Sequence, residues 1–141
     1  MASVPNPHHH PKEFLRHLFE VAVARAQPLP NMAGLLPEPP RGRTLVLGAG
    51  KAAAAMAHAV EQHWPAEAAL SGLVITRYGH AMPAMPDASH GAAQPARIRV
   101  VQAAHPVPDA AGELATLQIL EAVQALAPED LLLVLISGGG S

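Results

Sequence analysis

Apolar side chains fall at helical intervals over residues 13–26, at Phe14, Leu15, Leu18, Phe19, Val21, Ala22 and Val23, while Lys12, Arg16, His17, Glu20 and Arg25 lie mostly opposite. That spacing predicts an amphipathic helix that covers another surface. Pro28 and Pro30 stop it, and five prolines within residues 27–43 predict an extended connector. From Thr44 onward the period changes. Short apolar runs at residues 44–47, 72–76, 97–103 and 131–136 read as strands. The last of them contains no polar residue, the mark of a strand covered on both faces. An alanine-rich segment after Gly50 reads as a helix to about His63, ended by Trp64 and Pro65. A second helix is expected over residues 110–126, with Asp109 as its N-cap and Thr116, Ile119, Leu120, Val123 and Leu126 in one stripe opposite Glu113, Glu121 and Gln124. Residues 82–95, rich in Pro, Gly, Ser and Ala, read as a loop.

Strands alternating with helices predict an α/β fold: a Rossmann-like parallel sheet of about four strands, helices on both faces, joined by right-handed crossovers. In such sheets ligands sit beyond the carboxyl ends of the strands, where the strand order reverses. With the order 3-2-1-4 the first and fourth strands are neighbours, and the glycine-rich segments that follow them flank that crevice.

Composition narrows the class. The 141 residues make one domain or part of one. Half are apolar but only 3% are aromatic, so the core is expected to be built of Leu, Val and Ala with close helix contacts. A formal charge of −2 offers no electrostatic case for nucleic acid or a membrane surface as partner. The absence of cysteine removes disulfides and thiolate chemistry and fits a cytoplasmic protein. Residues 1–12, polar and rich in Pro and His, lack the apolar core of a secretory signal and read as a flexible tail. The longest purely apolar run, residues 131–136, is far too short to span a bilayer.

The candidate chemistry lies at the strand ends. Gly48-Ala49-Gly50-Lys51 closes the first strand and opens a helix, a turn whose exposed N–H groups suit an anion. A lysine in the first helical turn opposes the macrodipole by a few tenths of a kcal/mol, a sign that a bound phosphate reverses; a solvated lysine is the alternative. Arg77 and His80 follow the second strand, and His105 and Asp109 the third. Arg77, His80 and His105 could hold a carboxylate or phosphate, or exchange protons, and Asp109 could contact a substrate; each could equally be an ordinary polar residue at a strand end. Ser137, Gly138, Gly139, Gly140 and Ser141 follow the fourth strand and supply N–H groups and two hydroxyls, in the manner of a polyphosphate site or of a plain linker. No Walker A loop is present, because Lys51 follows Gly50 with neither the longer loop nor a neighbouring Ser or Thr. Residues 48–53 satisfy the dinucleotide pattern Gly-x-Gly-x-x-Ala, but Thr76 and Arg77 stand where an NAD site wants an acid, so only an NADP-type reading survives.

Four segments together, residues 43–52 (Arg-Thr-Leu-Val-Leu-Gly-Ala-Gly-Lys-Ala), 72–80 (Gly-Leu-Val-Ile-Thr-Arg-Tyr-Gly-His), 105–109 (His-Pro-Val-Pro-Asp) and 136–141 (Ile-Ser-Gly-Gly-Gly-Ser), resemble in order the N-terminal part of the class II glycerate 2-kinase family. Its members carry the MOFRL domain and were often labelled hydroxypyruvate reductase. The resemblance implies transfer of phosphate from ATP, with Mg2+, to the 2-hydroxyl of D-glycerate in a cleft between two domains. It also implies an important role for Lys51, and it leaves a homodimer open. Arg77 stands where lysine is common in the family, and Ala104 where glycine is usual. Family members continue well beyond the Ser-Gly-Gly-Gly-Ser turn. Residues 13–141 are therefore expected to be the N-terminal part of the kinase domain, without the MOFRL domain and inactive alone. A fragment of an NAD(P)-dependent reductase of hydroxypyruvate or tartronate semialdehyde is the alternative.

Overall fold

A computed structural model describes residues 4–81 and 96–138. In chain order the elements are α1 (Pro11–Ala26), α2 (Pro28–Met32), β1 (Thr44–Ala49), α3 (Ala53–His63), β2 (Leu70–Arg77), β3 (Ile98–Ala103), α4 (Ala110–Gln124) and β4 (Leu131–Ile136). The four strands form one parallel sheet in the order β3-β2-β1-β4. The parallel α/β sheet is as expected, and its order is the one that makes the first and fourth strands neighbours. The expected loop at residues 82–95 lies outside the described residues.

Alternation along the strands sends successive side chains to opposite faces. On one face Val46, Val74, Ile98 and Leu135 meet Ala53, Ala57, Val60 and Trp64, and this is the core of the molecule. Small residues let α3 lie close to the sheet, which compensates for the scarcity of aromatics. The opposite face carries α4, which lies chiefly over β3 and β2. Gly48 lies within β1, where a Cβ would stand 2.5 Å from the Leu135 carbonyl oxygen of the neighbouring strand. Glycine there permits the close β1–β4 pairing that brings the two strand ends together.

Four expectations change. The connector is not wholly extended: Pro28 and Pro30 start and occupy α2 instead of excluding helix, because proline at a first helical position loses no bond that the helix needs. No residue of α1 is buried, and Leu15 and Phe19 are 64% and 68% exposed. Helical periodicity therefore identified an apolar side without identifying anything that covers it. In α4 the buried residue is Ala115, whereas Thr116, Leu120 and Val123 of the expected stripe are exposed. Leucines and alanines all round this helix leave the period weak, and the sheet accepts the narrow side. In β4, Leu132, Val134 and Ile136 are exposed in alternation with residues facing α3, so the described residues cover the strand on one face only.

Two polar anchors hold the lower ends of these elements. Arg97 donates to the carbonyls of Glu61, Trp64 and Pro65 at 3.1, 3.4 and 3.1 Å, satisfying acceptors left over where α3 ends. Arg97→Met is expected to lower stability by about 1–3 kcal/mol in a urea titration, the usual cost of leaving such acceptors unpaired. Asp130 accepts from the Ala127 and Arg43 backbone N–H groups at 3.0 and 2.9 Å and pairs with the Arg43 guanidinium at 3.3 Å. These donors, the Ala127 N–H first, hold its carboxyl below the usual carboxylate range. A depressed folded pKa gives stability that is present above about pH 4 and lost as the pH falls through the folded value. The stability difference between the wild-type protein and Asp130→Asn should therefore shrink as urea titrations move from pH 6 to pH 3.

Candidate functional site

Because the strands are parallel, the segments that follow them all emerge at one edge. There a cavity of about 710 Å³ opens, lined among others by Lys51, Thr76, Arg77, His105, Ser137 and Gly138. Its size falls within the range of ligand pockets, roughly 300–1,000 Å³. It spans the β1–β4 boundary, on either side of which the connections leave in opposite directions, the switch point of a doubly wound sheet.

The turn after β1 begins at Gly50, later than the sequence suggested. Gly50 has φ +121°, its N–H donates to the Ile75 carbonyl at 3.1 Å, and its own carbonyl accepts from Ala53 N–H at 3.1 Å. Lys51 consequently lies two residues before the start of α3 and not in its first turn. Its backbone carbonyl faces Thr76 Oγ1 at 3.4 Å and His80 Nδ1 at 3.3 Å, the latter a donor when that nitrogen carries the proton. The lysine side chain is exposed and, among the described residues, has no acidic partner. From the other side, Ser137 N–H donates to the Ala49 carbonyl at 3.2 Å, and Ser137 Oγ accepts from Ala52 N–H at 2.8 Å.

The segments after β2 and β3 are tied to one another. Tyr78 N–H donates to the Ala103 carbonyl at 3.2 Å, Gly79 N–H to Gln102 Oε1 at 2.8 Å, and the Tyr78 hydroxyl to Asp109 Oδ2 at 2.8 Å. Asp109 is the N-cap of α4 as expected, its other oxygen accepting from Gly112 N–H at 3.0 Å. These donors, Gly112 first, lower the Asp109 pKa, and the carboxylate in turn raises that of Tyr78.

The structure thus brings Gly50, Lys51, Arg77, His105, Ser137 and Gly138 to one cavity. Gly48 lies within β1 below it, His80 touches the Lys51 carbonyl from outside the lining, and Asp109 is engaged in capping. Gly139, Gly140 and Ser141 lie outside the described residues. Sequence reasoning passed over Thr76 as a lining residue, although a polar residue ending an apolar strand was a usable signal. It also passed over Tyr78, whose partner is 31 residues away. Among the described residues the lining contains a lysine, an arginine and a histidine but no carboxylate, so their field favours an anion. Among the described residues no three His, Asp or Glu side chains are grouped to hold a metal ion, and no helix is long and apolar enough to cross a membrane.

A family model described as "Domain of unknown function (DUF4147)" matches residues 14–141. A protein of Agrobacterium vitis named "Putative hydroxypyruvate reductase" is 50% identical over 130 residues, which are 92% of this chain and 27% of that protein. The glycerate 2-kinase of Pyrococcus horikoshii is 33% identical over 101 residues, 72% of this chain and 20% of its own length. The crystal structure of a glycerate kinase from Thermotoga maritima superposes with a TM-score of 0.63 at 27% identity, covering 84% of this chain and 26% of that one. The chain therefore spans about a quarter of the length of these relatives. Since the family model runs from the first helix through all four strand-end motifs, the chain belongs to the DUF4147 family, the family of the glycerate 2-kinases those motifs resemble.

Proposed function

We propose that this chain carries the phosphate-holding wall of an ATP-dependent glycerate 2-kinase, which converts D-glycerate and ATP to 2-phosphoglycerate and ADP. The observation that carries the reading is the cavity at the sheet's switch point, where the described lining gathers Lys51, Arg77 and His105. Residues 13–141 are, in this reading, the N-terminal part of the kinase domain. In the transfer the 2-hydroxyl oxygen bonds to the γ-phosphorus, the bond from that phosphorus to the bridging oxygen breaks, and the hydroxyl proton leaves. Little covalent chemistry falls to the protein in such a step, and positioning with charge neutralisation does most of the work. In this reading the Lys51 ammonium and the backbone of the Gly138 turn face the nucleotide phosphates, since the N–H groups of Gly50, Ala52 and Ala53 are already bonded within the protein. Arg77 and His105 stand on the β2–β3 side, where a guanidinium suits a carboxylate and an imidazole can exchange a proton. Magnesium would supply further neutralisation of the phosphate charge, and the described side chains offer it no cluster of ligands.

The reductase name of the Agrobacterium vitis relative, with Arg77 at the end of β2 where an NADP 2′-phosphate would be met, supports a second reading as an NADPH-dependent reductase. Separate calorimetric titrations with ATP-Mg and NADPH decide between them. Saturable ATP binding that weakens with salt is expected; saturable NADPH binding without ATP binding overturns the kinase reading. Because the chain spans about a quarter of its kinase relatives, turnover of D-glycerate by these 141 residues alone is expected to be absent or nearly so. Robust turnover would refute that expectation.

A further inference from the structure

We propose that Ser137 is a positioning residue, whose hydroxyl anchors the start of α3 from the end of the neighbouring strand β4 and thereby fixes the turn that presents Lys51. This rests on the reading of the cavity as a phosphate site. Helices of this kind usually begin at a Ser, Thr, Asn or Asp whose side chain accepts one of the first N–H groups. At α3 the N-cap is Ala52, which makes no side-chain cap. A different acceptor comes from elsewhere: Ser137 Oγ receives the N–H of Ala52 itself at 2.8 Å, the donor that a capping-box side chain would otherwise satisfy, across a sequence separation of 85 residues. The same serine is held by its own N–H, which donates to the Ala49 carbonyl at 3.2 Å, so one residue is bonded on both sides of Gly50. Gly50 has no Cβ, and one placed there would lie inside van der Waals contact of the Ser137 carbonyl and hydroxyl oxygens.

Glycine at 50 and serine at 137 are thus one device. The first makes room for the second, and the second satisfies the N–H of Ala52 at the start of a helix that has no side-chain cap of its own. Accepting from Ala52 occupies only a lone pair of the hydroxyl, whose proton remains to be donated, so capping is compatible with a contact to an anion in the cavity. The functional consequence is that Ser137 governs where Lys51 stands before any ligand arrives, and not only how a ligand is held afterwards.

Amide hydrogen exchange on the 141-residue protein without ligand tests this. In the wild-type protein the Ala52 amide should exchange at least about tenfold more slowly than the intrinsic rate of an unprotected amide. Ser137→Ala should remove that protection, and Ser137→Thr, which keeps the hydroxyl, should restore it to within about threefold. Unprotected exchange of Ala52 in the wild-type protein overturns the proposal even if Ser137→Ala fails to fold; so does unchanged protection in a folded Ser137→Ala. No ligand enters the measurement, so a result against Ser137 leaves the phosphate reading standing, and the ATP titration decides that reading separately.

Discussion

Gly50→Ala is expected to cost at least about 3 kcal/mol of stability and to lower the melting temperature by roughly 10 °C or more. Two independent causes act at the same atom. With φ at +121° the backbone of residue 50 is in a region that side chains rarely enter. The added methyl would also overlap the carbonyl and hydroxyl oxygens of Ser137, which belong to the neighbouring strand's end and cannot move without opening the β1–β4 edge. Relief in either direction separates the two turns that bound the cavity. For a domain whose total stability is on the order of 5–15 kcal/mol, such a loss is a large fraction of the whole. Thermal denaturation followed by circular dichroism measures it, and a shift of less than about 3 °C would mean that the two turns are not packed as described.

The elements were readable where one local rule decided them. Asp109 caps α4 because an aspartate before an apolar helical run has a favourable use for its oxygen, and that rule involves only residues 109–112. The strands were nearly as plain, since short apolar runs have few other fates, and parallel order follows where a helix intervenes, as α3 does between β1 and β2 and α4 between β3 and β4. What the sequence hid was which side of an element another element would cover. The apolar side of α1 is unmistakable in sequence, yet none of its residues is buried. Apolar residues on every side of α4 left its orientation to be decided by small residues: a Cβ on Gly112 would stand 3.4 Å from that of Ala103, the closeness of fit that sets α4 on β3.

The candidate site divides along the same line. Its position at one edge was predictable from topology, because every polar cluster follows a parallel strand. Its internal wiring was not, because the Ala52–Ser137 and Tyr78–Asp109 bonds join residues 85 and 31 positions apart. Asp109 illustrates the cost of reading residues singly. Capping at one oxygen and accepting from Tyr78 at the other satisfies the carboxylate within the protein, and only its neighbours in space reveal this. The exposed row Leu132, Val134 and Ile136 gives a complementary lesson. A strand of six apolar residues predicts two apolar faces, but it says nothing of which of them the described residues cover.

Lys51→Met should weaken ATP binding by about 10–100-fold while leaving the melting temperature essentially unchanged. The side chain is exposed and, among the described residues, makes no ion pair, so folding gains little from its charge. Near the start of α3 that charge is, if anything, slightly unfavourable without a ligand, and its removal should leave stability within about 0.5 kcal/mol. Methionine keeps the length and most of the volume of the aliphatic stem, so the change isolates the ammonium group. A charge-assisted bond to a phosphate oxygen is worth about 1.5–3 kcal/mol, which sets the expected range. The interaction is ionic, so the gap between the two proteins should narrow as salt is raised from 0.05 to 0.5 M, an approximate range over which exposed charges become well screened. Calorimetric titration of both proteins at the two salt concentrations measures affinity and its screening together. Equal affinity at low salt would remove Lys51 from the phosphate site, and a large fall in melting temperature would make its role structural.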